Sequence, residues 1–162
     1  MAYSSRLLDA LDDIVTELET ITTGNGYYNS PTVIRAIRPA DKIVEPPEVG
    51  IELGDEELLS QTTADDAFHS EIQVYVAGTV SANAPLDSDA SELVEATEKL
   101  RHDIKRIVAS IFYKYSTAGA TWSIMKGSVF VVPVMGLGEN RNKAQVWARF
   151  KIRVWSMDTT LA

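Results

Sequence analysis

Two glycine-rich runs and two histidines are the residues of this sequence that most resemble parts of a reactive site. The Gly-Leu-Gly run at 136–138 has part of the spacing of a dinucleotide-binding turn. It lies between two predicted strands, however, so no helix follows it to hold a phosphate. The Gly-Asn-Gly run at 24–26 follows a predicted helix, where glycine is the ordinary terminator. His69 and His102 have no second ligand at a recognised metal-binding spacing. These residues therefore predict neither cofactor binding nor a metal site.

Nucleophiles and acidic runs give no stronger signal. The chain has no cysteine, which excludes disulfides, thiolate ligands and cysteine nucleophiles together. None of its serines lies in a nucleophile elbow or has an evident base partner. The acidic runs at 55–57 and 65–66 are spaced unlike a calcium-binding loop, and we interpret them as solvated charge. The sequence thus predicts a protein that is not an enzyme, with no catalytic residues, no cofactor and no metal.

Charge is distributed unevenly along the chain, whose formal net charge is −8. Residues 41–66 contain nine acidic residues and one basic residue, whereas residues 141–155 contain five basic residues and no acidic one. This separation suits head-to-tail contact between identical subunits, with an acidic patch of one copy meeting a basic patch of the next. Alternatively, the two segments neutralise each other within one fold. The net negative charge argues against broad nucleic-acid binding.

Two amphipathic helices and about five strands account for most of the chain. Apolar residues recur at helical spacing from about Ser4 to Thr22 and from Leu93 to Phe112. Strand patterns occupy 33–38, 49–53, 68–80, 129–135 and 145–156, and 117–123 is predicted to be irregular. Two helices are too few for a doubly wound sheet. The predicted fold class is α+β: a mainly antiparallel sheet of about five strands with both helices on one face, in the order αβββαββ.

The length of 162 residues suits a single domain spanning residues 1–162. The segment 54–67 is acidic and poor in apolar residues, and it is predicted to form a projecting loop. The first residues do not have the pattern of a signal peptide, and no apolar run approaches the roughly eighteen residues of a membrane-spanning helix. The expected setting is therefore aqueous and cytoplasmic.

The last predicted strand, at 145–156, is unusual because neither of its faces has the composition of an ordinary solvent-exposed surface. One face is apolar and belongs to the core: Val146, Ala148, Phe150, Ile152 and Val154. The other carries two tryptophans and three cations without an acid: Trp147, Arg149, Lys151, Arg153 and Trp155. Three interpretations of this second face stay open. It could be buried under a helix with its cations at the margin, form a subunit interface, or stack on nucleic acid.

The order and lengths of these elements resemble the tail terminator (tail completion) proteins of long-tailed bacteriophages. The similar features are the opening helix at 7–21, the strand Ile-Arg-Ala-Ile-Arg-Pro at 34–39, the acidic mid-chain segment, the helix at 93–112 and the closing strand that ends at Trp155. The resemblance implies a structural virion protein that forms a ring, expected to be a homohexamer, on the tail tube. Such a ring ends tube polymerisation and joins the tail to the head-side connector. The implied location is the tail or neck of the virion, after assembly in the host cytoplasm.

The resemblance also implies partners and a site. The expected partners are further copies of the chain, the tail-tube protein and the head-tail connector protein, with transient passage of DNA through the lumen and no membrane. The expected subunit or partner interface is Trp147, Arg149, Lys151, Arg153 and Trp155. The acidic residues expected to face the lumen or a partner ring are Asp55, Glu56, Glu57, Asp65 and Asp66. The alternatives are another neck or tail-tube component, a small monomeric α+β binding module, or an enzyme with an unfamiliar site.

Overall fold

The computed structural model describes residues 6–59, 68–82, 91–116, 122–125, 129–138 and 141–156. Two α-helices and six β-strands lie in these ranges. Their bounds are α1 Arg6–Leu18, β1 Thr32–Ile34, β2 Glu48–Leu59, β3 Phe68–Ser81, α2 Ser91–Tyr115, β4 Trp122–Ile124, β5 Phe130–Leu137 and β6 Lys143–Ser156. Two single-turn 3₁₀ helices, Thr23–Asn25 and Ala40–Lys42, lie in the connections before and after β1.

The six strands form one sheet in the order β1-β2-β3-β6, and β4 and β5 both pair with β6 at the other edge. The β1–β2 pair is parallel, and every other pair among these strands is antiparallel. Strand β6 is central, because β3, β4 and β5 all pair with it. Its pairing with β3 covers its whole length, from Lys143 opposite Ser81 to Ser156 opposite Phe68. This arrangement confirms the predicted α+β class, with one more strand than the sequence pattern indicated.

Both helices pack on the same face of the sheet, which we call the inner face. The apolar stripes predicted from periodicity meet there in one core. That core includes Ile14 and Leu18 of α1, Leu100, Ile104 and Ile107 of α2, and Val146, Ala148, Phe150, Ile152 and Val154 of β6. Each fully buried Leu, Ile or Phe side chain contributes roughly 1.5–3 kcal/mol to stability. The inner face therefore supplies most of the free energy that holds the fold together.

The predicted loop at 54–67 is wrong in its first part, because β2 continues through Leu59. A bulge between Leu53 and Glu56 interrupts the pairing with β3, and the ladder then resumes as far as Leu59 opposite His69. The acids in this stretch do not prevent strand formation, because the backbone of β3 supplies the hydrogen bonds and the acidic side chains at 55–57 are exposed. Residues 60–67 lie outside the described residues.

Two further strands differ from their predicted bounds. Strand β1 covers Thr32–Ile34 instead of 33–38, because the chain leaves β2 after Ile34 and crosses the sheet. Strand β4 falls partly within the segment predicted to be irregular. Its first residue, Trp122, is fully buried, stacks on Tyr115 at a ring-centroid distance of 4.1 Å and donates a hydrogen bond from Nε1 to Asp13 Oδ2 at 2.8 Å.

Residues 35–47, which we call the crossing loop, connect the parallel strands β1 and β2 over the other face of the sheet. Parallel neighbours need a connection of about a dozen residues or more, and this loop supplies it. It lies on what we call the outer face, opposite the helices. At Gly50, an added Cβ would lie only 3.0 Å from the carbonyl carbon of Ala36 and from Ile37 Cα. Glycine is therefore required there for the close approach of the loop backbone.

Candidate assembly interface

The outer face of the sheet presents the residues that alternate with the core positions of β6. Trp147 lies between Ala77 of β3 and Val132 of β5, and Arg149 lies between Tyr75 and Phe130. Arg153 lies opposite Glu71 on β3 and Ser123 on β4. Lys151 lies opposite Gln73, and Trp155 lies opposite His69, although the side chains of this last pair are outside the described set. The structure thus brings Trp147, Arg149, Lys151 and Arg153 onto one face.

The crossing loop covers one end of the outer face. Gln145 Nε2 donates to the carbonyl of Arg38 at 3.1 Å and to Thr79 Oγ1 at 3.1 Å. Lys143 Nζ donates to the carbonyls of Ala40 and Ile43 at 2.9 and 2.7 Å. These bonds fix the loop across β6, where Gln145 is buried and Lys143 is half-buried. The interpretation of the face as a surface buried under a helix is therefore wrong for the described chain, because both helices lie on the inner face and a loop covers only one end.

An ion pair also fixes the start of the crossing loop. The guanidinium of Arg38 pairs with the buried carboxylate of Glu48, the first residue of β2. The hydrogen bond to Glu48 raises the pKa of Arg38, against the smaller opposing effect of desolvation. Because Arg38 is already charged at every relevant pH, this pair acts by orienting the loop and not by titrating.

Beyond the crossing loop, the outer face is open and partly apolar. Trp147 is half-buried, and its Nε1 donates to Gln145 Oε1 at 3.3 Å. The guanidinium of Arg149 lies 5.5 Å from the ring centroid of Phe130, which is 59% exposed. Val132 and Val134 continue this strip along β5 and are both exposed. We call Phe130, Val132, Val134, Trp147 and Arg149 the outer patch.

The cations predicted on this face are not equivalent. Arg153 Nη2 lies 2.9 Å from Glu71 Oε1, so its charge is compensated within the chain. Arg149 has no carboxylate within ion-pair distance among the described residues and stacks on Phe130 instead. Stacking on an aromatic ring leaves the hydrogen-bond donors of a guanidinium available to a partner. Arg149 is therefore the cation of this face that is best placed to bind another molecule.

The acidic residues predicted for a loop divide into two sets. Asp55, Glu56 and Glu57 are exposed on β2, whereas Asp65 and Asp66 lie outside the described residues. Glu57 lies directly opposite Glu71 in the ladder, and such like-charge pairing is unfavourable. The ion pair between Glu71 and Arg153 relieves part of it. Asp55, Glu56 and Glu57, which we call the acidic strip, therefore lie on the part of β2 that has no further strand beside it among the described residues.

Two edge segments of the sheet, β5 and the part of β2 beyond β1, are poorly suited to pairing with another strand. Strand β5 pairs only with β6 in the described chain, and Pro133 at its middle has no N–H to donate. The part of β2 beyond β1 carries a bulge and the acidic strip. Prolines, bulges and charges at edges are features that oppose strand addition. Contact with a partner is therefore better supported by the outer patch than by either of these two edge segments.

The β5 part of the outer patch was not predicted, although the sequence contained a signal for it. Residues 129–135 form an unbroken apolar run, which is typical of a strand buried on both faces. Pro133 within the run favours an edge strand or a bulge, and in the described chain the strand does lie at an edge, with Phe130, Val132, Val134 and Met135 exposed. The outer patch therefore extends from β6 onto an exposed apolar edge strand.

No group of three or more His, Cys, Asp or Glu side chains in the described ranges could hold a metal ion. Within the same ranges, neither helix is long and apolar enough to cross a membrane. No protein-family model and no curated protein sequence matches this chain.

Proposed function

We propose that this chain is a structural virion protein of the tail terminator type, which assembles with copies of itself through the outer face. The observation that carries the proposal is the outer patch, an open strip of Phe, Val, Trp and Arg beside an edge strand, β5, in which Pro133 opposes strand pairing. Aromatic residues and arginine are enriched in protein interfaces and account for much of their binding energy. The α+β architecture with two helices on one face also agrees with the family that the sequence resembles.

In this role the chain closes into a ring, proposed to be a hexamer, on the end of the tail tube. The ring stops tube polymerisation and presents a surface to the head-side connector. The acidic strip of Asp55, Glu56 and Glu57 would then face the lumen or a neighbouring ring. A negatively charged lumen repels DNA phosphates, so the genome passes without adhering to the wall. Neutralising the strip should leave the rings intact if it only lines the channel.

The test is the molar mass of the purified protein, measured by light scattering after size exclusion over a range of concentrations, with and without a divalent cation. We expect a closed oligomer near six subunits. Arg149→Glu should weaken the association by about 30-fold, the equivalent of about 2 kcal/mol for an interface hot spot. Lys99→Glu is the matched control, because it makes the same charge change on an exposed position of α2, on the inner side of the sheet.

The outcome of this pair of variants decides the proposal. Equal weakening by both variants would show that net charge, and not the outer patch, controls association. If the unmodified chain were a monomer at every concentration, a small α+β binding module that recognises a peptide or ligand would become the better proposal. A ring that survives Arg149→Glu would move the interface away from the outer patch.

A further inference from the structure

Val44 projects from the crossing loop and is 87% exposed, the highest value among the large apolar residues of the described chain. Hydrogen bonds hold the crossing loop against β6 at both ends of the 3₁₀ turn Ala40–Lys42, which comes just before Val44. Ala40 and Ile43 are buried, and both of their carbonyls accept hydrogen bonds from Lys143 Nζ. Two prolines follow at 46–47 and restrict the backbone further. Val44 is thus an apolar side chain presented to solvent by an ordered loop, so little additional entropy is lost when it binds.

A groove suited to such a side chain lies on the inner side of the sheet, between α2 and β5. Its volume is about 300 Å³. Five of its six lining residues are apolar: Val108, Ala109 and Phe112 of α2, together with Val129 and Val131. The sixth is Lys105, which is exposed. Lys105 forms no ion pair with a described carboxylate.

We propose that Val44 of one copy of this chain inserts into the groove between α2 and β5 of a second copy, with Glu45 beside Lys105. The complementarity is chemical, because an exposed valine meets an apolar groove and an exposed carboxylate meets an unpaired ammonium group. The two surfaces belong to opposite faces of one sheet, so they meet only between copies. This inference rests on the self-assembly proposed above, and it names a second contact on the other side of β5.

The geometry of this contact makes it heterologous. The projecting valine and the groove are different surfaces, so each copy donates a valine to one neighbour and receives a valine from another. Such contacts generate a ring if the rotation closes and a filament if it does not. Strand β5 would then be covered on both faces, by one contact at the outer patch and another in the groove. This explains why its sequence is apolar on both faces.

The test is site-specific crosslinking, for which a chain without cysteine is well suited. Val44→Cys and Ala109→Cys are purified separately, mixed and oxidised with oxidised glutathione, which accepts the two electrons released when the two thiols join. We expect a covalent dimer on non-reducing electrophoresis, with the peptides around 44 and 109 joined in the mass spectrum. The control is Val94→Cys mixed with Val44→Cys, because Val94 is 42% exposed on the same helix but outside the groove.

A charge exchange provides the second measurement. Glu45→Lys and Lys105→Glu should each weaken association by about tenfold, and an equimolar mixture of the two should recover it, because the mixture restores both ion pairs. If Arg149→Glu dissociates the oligomer but Val44→Ser and Lys105→Glu do not, and no 44–109 crosslink forms, the inference is overturned while the proposed function stands. A strictly monomeric chain with no crosslink overturns both.

Discussion

Gly50→Ala is expected to displace the crossing loop from the outer face and to destabilise the fold. The added Cβ would lie 3.0 Å from the carbonyl carbon of Ala36 and from Ile37 Cα, and closer still to the carbonyl oxygen of Ala36. All three atoms are backbone atoms, so no side-chain rotation relieves the contact and the loop itself must shift. Forcing one extra methyl group into a packed site costs about 1–3 kcal/mol.

The hydrogen bonds of the loop add to this effect if the loop detaches. Lys143 and Gln145 together donate three hydrogen bonds to loop carbonyls, at 2.7 to 3.1 Å. Each contributes about 1 kcal/mol to stability. If the loop shifts but keeps these bonds, the free energy of unfolding should fall by about 1 kcal/mol, and if the loop detaches, by at least about 4 kcal/mol, because the ion pair between Arg38 and Glu48 is then lost as well.

Urea unfolding followed by tryptophan fluorescence measures this change. Gly24→Ala is the matched control, since the nearest heavy atom to its added Cβ, Thr22 Oγ1, lies 3.8 Å away, at ordinary contact distance. The control should stay within about 0.5 kcal/mol of the unmodified chain. A Gly50→Ala variant as stable as the control would refute the close approach of the loop. Because the same loop presents Val44, the destabilised variant should also associate more weakly.

Two further predictions concern the helices. Asp103→Ala should lower the free energy of unfolding by about 2–4 kcal/mol in urea titrations, because the buried carboxylate accepts three hydrogen bonds from the loop at 28–29; Asp12→Ala, at an exposed ion pair, should cost less than about 1 kcal/mol. The pKa of Lys114 is raised by a hydrogen bond to a carboxylate of α1, and that of Tyr115 is raised mainly by burial. A group whose pKa is higher in the folded than in the unfolded state stabilises the fold while it is protonated. This stabilisation is complete below the unfolded-state pKa and is lost as the pH rises through the folded-state pKa. Stability should therefore fall above about pH 10. The Lys114→Met/Tyr115→Phe double variant should show a shallower fall in urea titrations from pH 8 to 11, and an unchanged slope would contradict this origin.

The helices and strands whose apolar residues recur at a regular spacing could be predicted from the sequence. Helix α2 presents an apolar residue at every turn, and β6 alternates throughout, so their inner faces were evident from the sequence. The continuation of β2 through Leu59 could not be predicted from the sequence, because the acidic residues in it break the alternation and its pairing depends on β3. Strand β4 has three residues, too few to establish a period, although Trp122 is one of the largest fully buried side chains.

The candidate interface could be predicted only in part, for a similar reason. The alternation of β6 places Trp147 and Arg149 on one face, as expected. Which residues lie beside them depends on the register of β6 with β3 and β5, and a single sequence does not show that register. The register adds Phe130 to the patch, and it places Glu71 next to Arg153, which removes one cation from the predicted basic surface. That copies of the chain meet at this patch stays a prediction.

The residues that stabilise the fold and the residues proposed to contact a second copy are different, so their effects can be separated by experiment. The core lies on the inner face, whereas Arg149 and Val44 are exposed and contribute little to it. Substitutions at such positions usually change stability by less than about 0.5 kcal/mol. If Arg149→Glu or Val44→Ser abolishes association while the urea midpoint is unchanged, the loss reflects a missing contact and not unfolding. Gly50→Ala should change both quantities together, because one glycine positions the loop for folding and for the contact made through Val44.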